Sequence, residues 1–384
     1  MYLKSPIPLA ASVFIGPADK LLTLILLSPR SAAKYLTEDS SAALATPSLS
    51  QGKEKLTMVT TWGRGSFGVH DAAQRFADNC NAISGGTLEI DLKANGELVS
   101  GTAAAFDAMT SGTADAAHFA MYYYIGQNPT TAFYTAVPFG MTCQELDDWI
   151  LHNGGRELWD ELGEEMGFKG FLAGNTGTQA GGWFGKEINS AADFEGLKYR
   201  MPGLGGKVIS KMGASSITMA GGEIYQALQS GAIDGAEWIG PASDESLGLH
   251  EATNIYYTAG FHEPGAGLSV CVNLDRWDGL SDGHKEMIRV SAGEANRWSH
   301  SQYLANNGAA LERLIAGGTR ALEFPNDVWD AFGKGAMEVF EENMGDDLFK
   351  RTYESAMKSM RASSGWISKS AGAYMTQRDR VMGG

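Results

Sequence analysis

Residues 221–241 read GGEIYQALQSGAIDGAEWIGP. Ile224 and Leu228 recur at helical spacing, and Gly231 supplies a stop, so the first half is expected to be an amphipathic helix starting near Gly222. A short apolar strand over 233–239 follows, with Glu237 and Trp238 at its end against Gly240-Pro241. A carboxylate beside an indole at the carboxyl end of a strand, closed by a Gly-Pro turn, suits the ligand crevice of an α/β domain. A surface Glu next to a core Trp fits the same letters, because large aromatics are mostly core residues.

Working upstream, residues 55–62 alternate as a first strand, GRGSFG places Gly63, Gly65 and Gly68 in a turn, and a helix is expected over 69–83. The next strand, 88–92, carries Glu89 and Asp91 at roughly the spacing a dinucleotide fold needs for its ribose acid. One reading is therefore an NAD-dependent Rossmann oxidoreductase. A lone GxGxxG is a weak signal, and a glycine-rich loop that lets backbone approach a small ligand reads the same way. A helix over 106–109 and a strand over 114–119 continue the alternation, which argues for open sheets with flanking helices. Residues 143–162 read as a helix that Gly154-Gly155 could divide, 243–253 as another, and 281–317 as one very long, or briefly broken, helix.

The 384 residues leave room for two or three domains, and the net charge of −15 argues against nucleic acid, since no basic stripe is present to neutralise phosphates. An acidic protein that binds an anion needs a locally placed Arg. Arg200, near the end of a strand in KYRMP, offers a fork that matches a carboxylate bidentately, although a surface ion pair explains it equally well from the local pattern. Cys80, Cys143 and Cys271 have no CxxC spacing, which excludes a disulfide scaffold and a Cys-based zinc site and leaves room for one disulfide. No run reaches transmembrane length. Residues 21–27 are apolar behind Lys20, and Ala43-Leu44-Ala45 offers a cleavage motif, but Asp19, Pro29 and Arg30 interrupt the pattern. Residues 1–52 are expected to be a leader, a disordered segment or the product of a mis-assigned start.

Several long motifs, in order, carry a resemblance. IYQALQSGAIDGAEWIGP is joined by GELVSGTAAAFDAMTSGTAD, YYYIGQNPTTAFYTAVPFGMT, GNTGTQAGGWFGKEI from Gly174, GLKYRMPGLGG from Gly196 and GFHEPG from Gly260. Together they resemble the extracytoplasmic solute-binding proteins of TRAP transporters, in particular the branch that binds 2-oxo acids and related small monocarboxylates. The resemblance implies an α/β, two-lobed periplasmic-binding-protein fold with mixed sheets, flanking helices, a long interdomain helix and a long C-terminal helix. It places lobe I at 53–178 with 266–305 and lobe II at 179–265 with 306–345, and it implies a periplasmic protein that delivers its ligand to TRAP membrane permease subunits.

On the site, the resemblance assigns substrate contacts to Tyr124, Asn175, Gln179, Arg200 and Trp238. It assigns a cation to Gln179, Glu237, Glu263 and the main-chain oxygen of Trp238. Two acidic side chains around an anionic ligand repel it, and a bound cation resolves that conflict; all-oxygen ligands favour Na⁺ or Ca²⁺. His262, beside Glu263, is expected to pack or hydrogen-bond locally, because no second His stands at metal-motif spacing from it. GxSxG, Cys–His and zinc motifs are all lacking, so catalysis is not expected; a metal-dependent enzyme acting on a 2-oxo acid is the second rival. In the tail, Tyr353, Met357, Met360, Ser364, Ile367, Ala371 and Tyr374 form a heptad-like stripe. That stripe packs back on its own subunit or buries itself on another chain; the resemblance favours a homodimer built through a C-terminal helix over 346–384.

Overall fold

The computed structural model describes residues 53–383, and the expected leader, residues 1–52, lies outside the described residues. In chain order the strands are β1 (Glu54–Thr60), β2 (Leu88–Lys93), β3 (Ala116–Phe119), β4 (Phe168–Asn175), β5 (Gly182–Phe184), β6 (Lys198–Arg200), β7 (Ser215–Ile217), β8 (Gly235–Ala236), β9 (Ile255–Tyr257), β10 (Gly267–Asn273) and β11 (Arg320–Leu322). They form two mixed sheets, ordered β2-β1-β3-β10-β4 and β11-β9-β5-β8-β6-β7. In the first, β1 runs parallel to β2 and β3, while β10 is antiparallel to both β3 and β4. In the second, β5 is antiparallel to β8 and β9, and the other neighbours are parallel. The expected α/β, two-lobed architecture with mixed sheets is present, and β10 returns the chain to the first sheet, between β3 and β4.

Local sequence explains these elements. The helix Val69–Ile83 buries Val69, Ala72, Ala73, Phe76, Ala77 and Cys80, a stripe of period near 3.6, against the first sheet. GLSVCVN in β10 is buried over six successive residues, as a central strand covered on both faces requires. The long helix Asp282–Ala316 starts at Ser281, whose hydroxyl accepts from His284 N at 3.2 Å, and spans roughly 52 Å at 1.5 Å per residue. It pairs Glu294 with Arg75 in the first lobe, and Arg313 with Glu245 in the second. Near its middle, Ser299 bonds the end of β4 and Asn307 accepts from Ala242 N at 3.1 Å.

Several boundaries differ from expectation. The strand expected over 233–239 is reduced to β8, because beyond Ala236 the backbone turns away to Asp244, which accepts from Ile239 N and Gly240 N. The helix expected over 243–253 is two, Pro241–Ser246 and Leu249–Ala252, separated at Gly248 with φ 72°. Gly154, with φ 88°, divides 143–162 as expected. The three cysteines are buried and free, so no disulfide forms. In the tail, the helix Asp347–Ile367 packs back through Leu348, Phe349, Thr352, Ala356 and Met357, with Phe349 on Phe133. The stripe is therefore covered at its beginning and bare at its end.

Two segments cross between the lobes side by side: the link from β4 to β5 and the link from β9 to β10. Gln179 N donates to Glu263 O at 3.0 Å, Gly260 N to Gln179 O at 3.1 Å, and Thr176 N to Ala266 O at 3.0 Å. This ladder holds the two crossings in register, and the functional candidates sit on it.

Candidate functional site

Parallel pairing of β6 with β8 sets Arg200 opposite Ala236, one residue before Glu237. Glu237 N then donates to Arg200 O, and the Arg200 guanidinium returns to Glu237: Nη1 donates to the Glu237 carboxylate and, at 3.0 Å, to its carbonyl. Nε and Nη2 of Arg200 both reach Met219 O, and the guanidinium lies 5.2 Å from the Trp238 ring centroid. Both ions are fully buried. Gly182, φ 105°, makes this packing possible, because a Cβ there would fall 2.4 Å from Ala236 O and 2.8 Å from Glu237 Cα.

The crossing segments bring Gln179, His262 and Glu263 to the same place. Ligand atoms of Glu237, His262 and Glu263 lie within 4.8 Å of one another, all buried. Gln179 Nε2 is anchored on Thr176 Oγ1 at 3.0 Å, and Gln179 lines the same small cavity as Glu263. His262 is wedged between glycines, since a Cβ at Gly260 or Gly205 would meet its ring or its Cβ, and its Nε2 stands 3.4 Å from Glu237 Oε2.

Gln179 Oε1, Glu237 Oε2 and Glu263 Oε2 are buried with no hydrogen-bond partner, as are both ring nitrogens of His262. Leaving such a group unsatisfied costs roughly 1–3 kcal/mol each. Burial, and then the neighbouring Glu237 carboxylate, push the Glu263 carboxyl well above the usual range. Three orphaned oxygens, two of them on carboxylates, are a donor set for a hard cation such as Na⁺ or Ca²⁺. The residues present therefore fit the expected ion.

Beside this cluster is a cavity of about 10 Å³, at the lower limit for one water. Gln179, Trp238 and Glu263 face it from one side; Trp62, Tyr122 and Tyr123 face it from the other. A wider cavity of about 220 Å³ lies beyond Tyr122 and Tyr123, which line both. Arg200 and Glu237 line neither cavity: the guanidinium lies against Trp238, and Glu237 lies beside Glu263, both of which do line the small one.

Two expected contacts are corrected. Tyr124 does not present its hydroxyl to the cavity: it donates to Thr102 O at 3.0 Å, accepts from Phe106 N at 3.2 Å, and packs on Phe106 and Phe119 in the first lobe's core. In a one-turn 3₁₀ helix over Met121–Tyr124, Tyr124 turns into the core, while Tyr122 and Tyr123, with ring centroids 4.8 Å apart, line the cavity. Asn175 is also spent elsewhere, its Oδ1 accepting from Gly177 N at 2.8 Å and its Nδ2 donating to Gly265 O at 3.4 Å. His262, expected to be a bystander, joins the cluster in space without any sequence spacing to show it. Trp62 was missed as well; its place directly after β1 was the available signal.

The glycine loop has another explanation than phosphate. A Cβ on Gly68 would stand 2.1 Å from Tyr303 Oη, so this glycine admits the interlobe helix. Glu89 and Asp91, the would-be ribose acids, pair with Lys55 at 3.0 Å each.

Compared with known proteins, residues 58–346 match the family model described as bacterial extracellular solute-binding protein, family 7 (DctP). The chain belongs to that family. The monocarboxylate 2-oxoacid-binding periplasmic protein of Nostoc sp. is 43% identical over 298 residues, covering 77% of this chain and 81% of the relative. A TRAP transporter solute-binding protein of Bordetella bronchiseptica, solved as a mixed-occupancy dimer with copurified calcium and picolinate, superposes with TM-score 0.84 at 32% identity over 86% of this chain and 99% of its own. One from Pseudoalteromonas atlantica, with bound sodium and pyruvate, gives 0.81 at 33% identity over 84% and 99%. The family-7 match makes this a solute-binding receptor and not an enzyme, so neither the oxidoreductase nor the metal-dependent enzyme stands. Family-7 proteins are extracellular, and among the described residues no helix is long and apolar enough to cross a membrane.

Proposed function

We propose that this receptor captures a small 2-oxo or 2-hydroxy monocarboxylate together with Na⁺ or Ca²⁺ in the periplasm and delivers it to TRAP permease subunits. The observation that supports the reading is the set of three orphaned buried oxygens, Gln179 Oε1, Glu237 Oε2 and Glu263 Oε2, close to a fully buried Arg200. Gln179, Glu237, Glu263 and the main-chain oxygen of Trp238 hold the cation. His262 stands 3.4 Å from Glu237 Oε2, at the edge of the cation's place. Arg200 holds the ligand carboxylate with its guanidinium, which Glu237 and Met219 O position from the protein side. Trp238 and Gln179 complete the contact, with Tyr122 and Tyr123 in the place first given to Tyr124. Closure is a hinge motion of lobe I, 53–178 with 266–305, against lobe II, 179–265 with 306–345, about the crossing segments. The relatives that bind monocarboxylate 2-oxo acids, or pyruvate with sodium, support the ligand class.

The bare end of the tail supports a homodimer through residues 346–384: Trp366 and Tyr374 are 72% and 66% exposed there. Trp366→Glu is expected to shift the sedimentation of a dimer toward monomer without unfolding it.

Thermal unfolding of ligand-stripped protein, with a carboxylate panel and with Na⁺, Ca²⁺, Zn²⁺ or chelator, tests the central reading. A ligand at a hundred times its Kd stabilises by about 2.7 kcal/mol. Stabilisation by pyruvate or lactate that requires Na⁺ or Ca²⁺ is the expected result. Stabilisation by carboxylate in sodium-free buffer with chelator, or by Zn²⁺ alone, would reject the cation assignment.

A further inference from the structure

Trp62 walls the small cavity with its ring, but its indole nitrogen is engaged elsewhere: Nε1 donates to His118 Nδ1 at 2.9 Å. His118 lies in β3, fully buried, and its other nitrogen, Nε2, is 3.4 Å from Ala173 O in β4. These strands are not neighbours. β10 runs between them, and the imidazole reaches across it.

The carbonyl it finds there is free for a reason. The β10–β4 register slips between Leu268 and Ser269, so that Leu268 faces Gly174 and Ser269 faces Leu172. Ala173 is the residue left over, a β-bulge with no partner across the ladder. A buried carbonyl without a ladder bond needs another donor, and His118 supplies it. A neutral imidazole has one N–H and one lone-pair nitrogen. Giving the N–H to Ala173 fixes Nδ1 as the acceptor, and an indole N–H can only donate, so the chain Trp62–His118–Ala173 has a single consistent direction. Burial holds the His118 pKa down to about 4, which keeps the ring neutral. The backbone repeats the tie, with Thr61 N donating to His118 O at 3.3 Å and Thr60 Oγ1 to the same oxygen at 2.8 Å.

We propose that His118 is a positioning residue for ligand selection: it reads the β-bulge at Ala173 and locks the Trp62 ring as the rigid wall that limits the size of the acid the cavity accepts. This rests on the small-carboxylate reading above. Trp62 stands 6.3 Å from Tyr123, ring to ring, so a rotation of the indole changes the space between the two. His118 touches neither the cavity nor the cation cluster, and any effect on selectivity must pass through Trp62.

The test measures pyruvate and 2-oxoisovalerate binding by calorimetry, with Na⁺ and with Ca²⁺, on the full chain and its variants. His118→Leu, which removes both bonds, is expected to lower the preference for pyruvate by about tenfold, within the range of couplings between residues in contact. His118→Asn keeps an acceptor for the indole and is expected to restore most of the preference. In a Trp62→Phe background, His118→Leu is expected to add nothing. An unchanged preference in His118→Leu, or the same change with and without Trp62, overturns the proposal. If His118→Leu does not fold, the indole N–H resonance of Trp62, assigned by its loss in Trp62→Phe, decides: slow exchange in the native protein supports the lock, and rapid exchange overturns it. A native chain that binds no 2-oxo acid with either cation overturns the functional reading instead, while the indole resonance still reports on the lock.

Discussion

The two lobes meet the cavity with opposite chemistry. The second lobe brings Arg200 and Glu237, two buried ions in contact, with Glu263 and His262 on the crossing beside them. The first lobe brings Trp62, Tyr122 and Tyr123, neutral rings, with the Trp62 nitrogen engaged by His118. The contrast separates two tasks. Charge recognition is built into one lobe before a ligand arrives, where low dielectric makes each ionic contact strong and each unpaired ion costly. Size selection is left to a wall that closes over it without having to desolvate a second set of charges. Breaking the Arg200–Glu237 pair should therefore disturb folding and binding together, and altering a first-lobe ring should disturb selection more than folding.

The largest effect is expected from Arg200→Ala. It leaves Glu237 buried without its counter-ion, which costs about 3–5 kcal/mol, and it removes the ligand's carboxylate partner. Urea unfolding of the variant should show that loss in chelator, before any ligand is added. Arg200→Lys keeps the charge but not the fork, so stability should recover further than carboxylate affinity does. A variant as stable as the native chain would show that the buried pair is not what holds this lobe's wall.

Glu263→Gln is expected to come next. The neutral amide removes the repulsion with Glu237, so the chelated protein should not lose stability. The cation-linked gain, about 2.7 kcal/mol at a hundred times Kd, should vanish. The pH dependence of the native protein has a definite sign. A carboxyl raised by burial and by Glu237 favours its proton in the fold, so without cation its contribution is present at low pH and is lost as pH rises through the folded pKa. A cation needs the carboxylate, hence binding expels that proton, and affinity should rise by up to about tenfold per pH unit below the folded pKa. Titration calorimetry in two buffers of different ionisation enthalpy would detect the released proton. A cation affinity that falls as pH rises would remove Glu263 from the site.

How much of this could be read from the letters differs between the two walls. Glu237 and Trp238 were legible because strand, turn and residue chemistry coincide within a few positions. Arg200 was legible as chemistry, but not as half of a buried pair, since nothing local states that β6 and β8 are neighbours. The neutral wall was nearly illegible. Three consecutive tyrosines differ only in the direction a 3₁₀ turn gives each of them, and that direction depends on what Phe106 and Phe119 already fill. His262 was dismissed for lack of a partner at motif spacing, yet Glu237, the carboxylate it approaches at 3.4 Å, lies 25 residues away just after β8. The long helix Asp282–Ala316 was plain from periodicity, whereas β8 shrank to two residues because Asp244 draws the following amides out of the ladder.

A smaller effect tests how the charged wall is shaped. Gly221 opens the helix Gly221–Gln229 under Trp238, and a Cβ there would stand 2.5 Å from the indole. Gly221→Ala gains helix propensity of up to about 1 kcal/mol, but the ring must move, and such overpacking costs about 1–3 kcal/mol. Net stability should fall slightly, and carboxylate affinity should fall more, because the displaced indole is itself a cavity wall. Equal affinity in the variant would mean that Trp238 is not held against the ligand.

The smallest effect is expected from Tyr124→Phe, and it separates core from wall within one short helix. The hydroxyl of Tyr124 bonds Thr102 O and Phe106 N deep in the first lobe, and losing it costs about 1 kcal/mol with the Phe106 amide left to find another acceptor. Because that hydroxyl does not face the cavity, pyruvate affinity should be unchanged. Tyr123→Phe and Tyr122→Phe, two positions or fewer away, should do the reverse, altering affinity or selectivity more than stability. Parallel calorimetry and urea unfolding of the three variants reads both quantities. If Tyr124→Phe weakens binding while the other two do not, the tyrosine facing the ligand is the one the family resemblance first indicated, and the neutral wall must rotate when the lobes close.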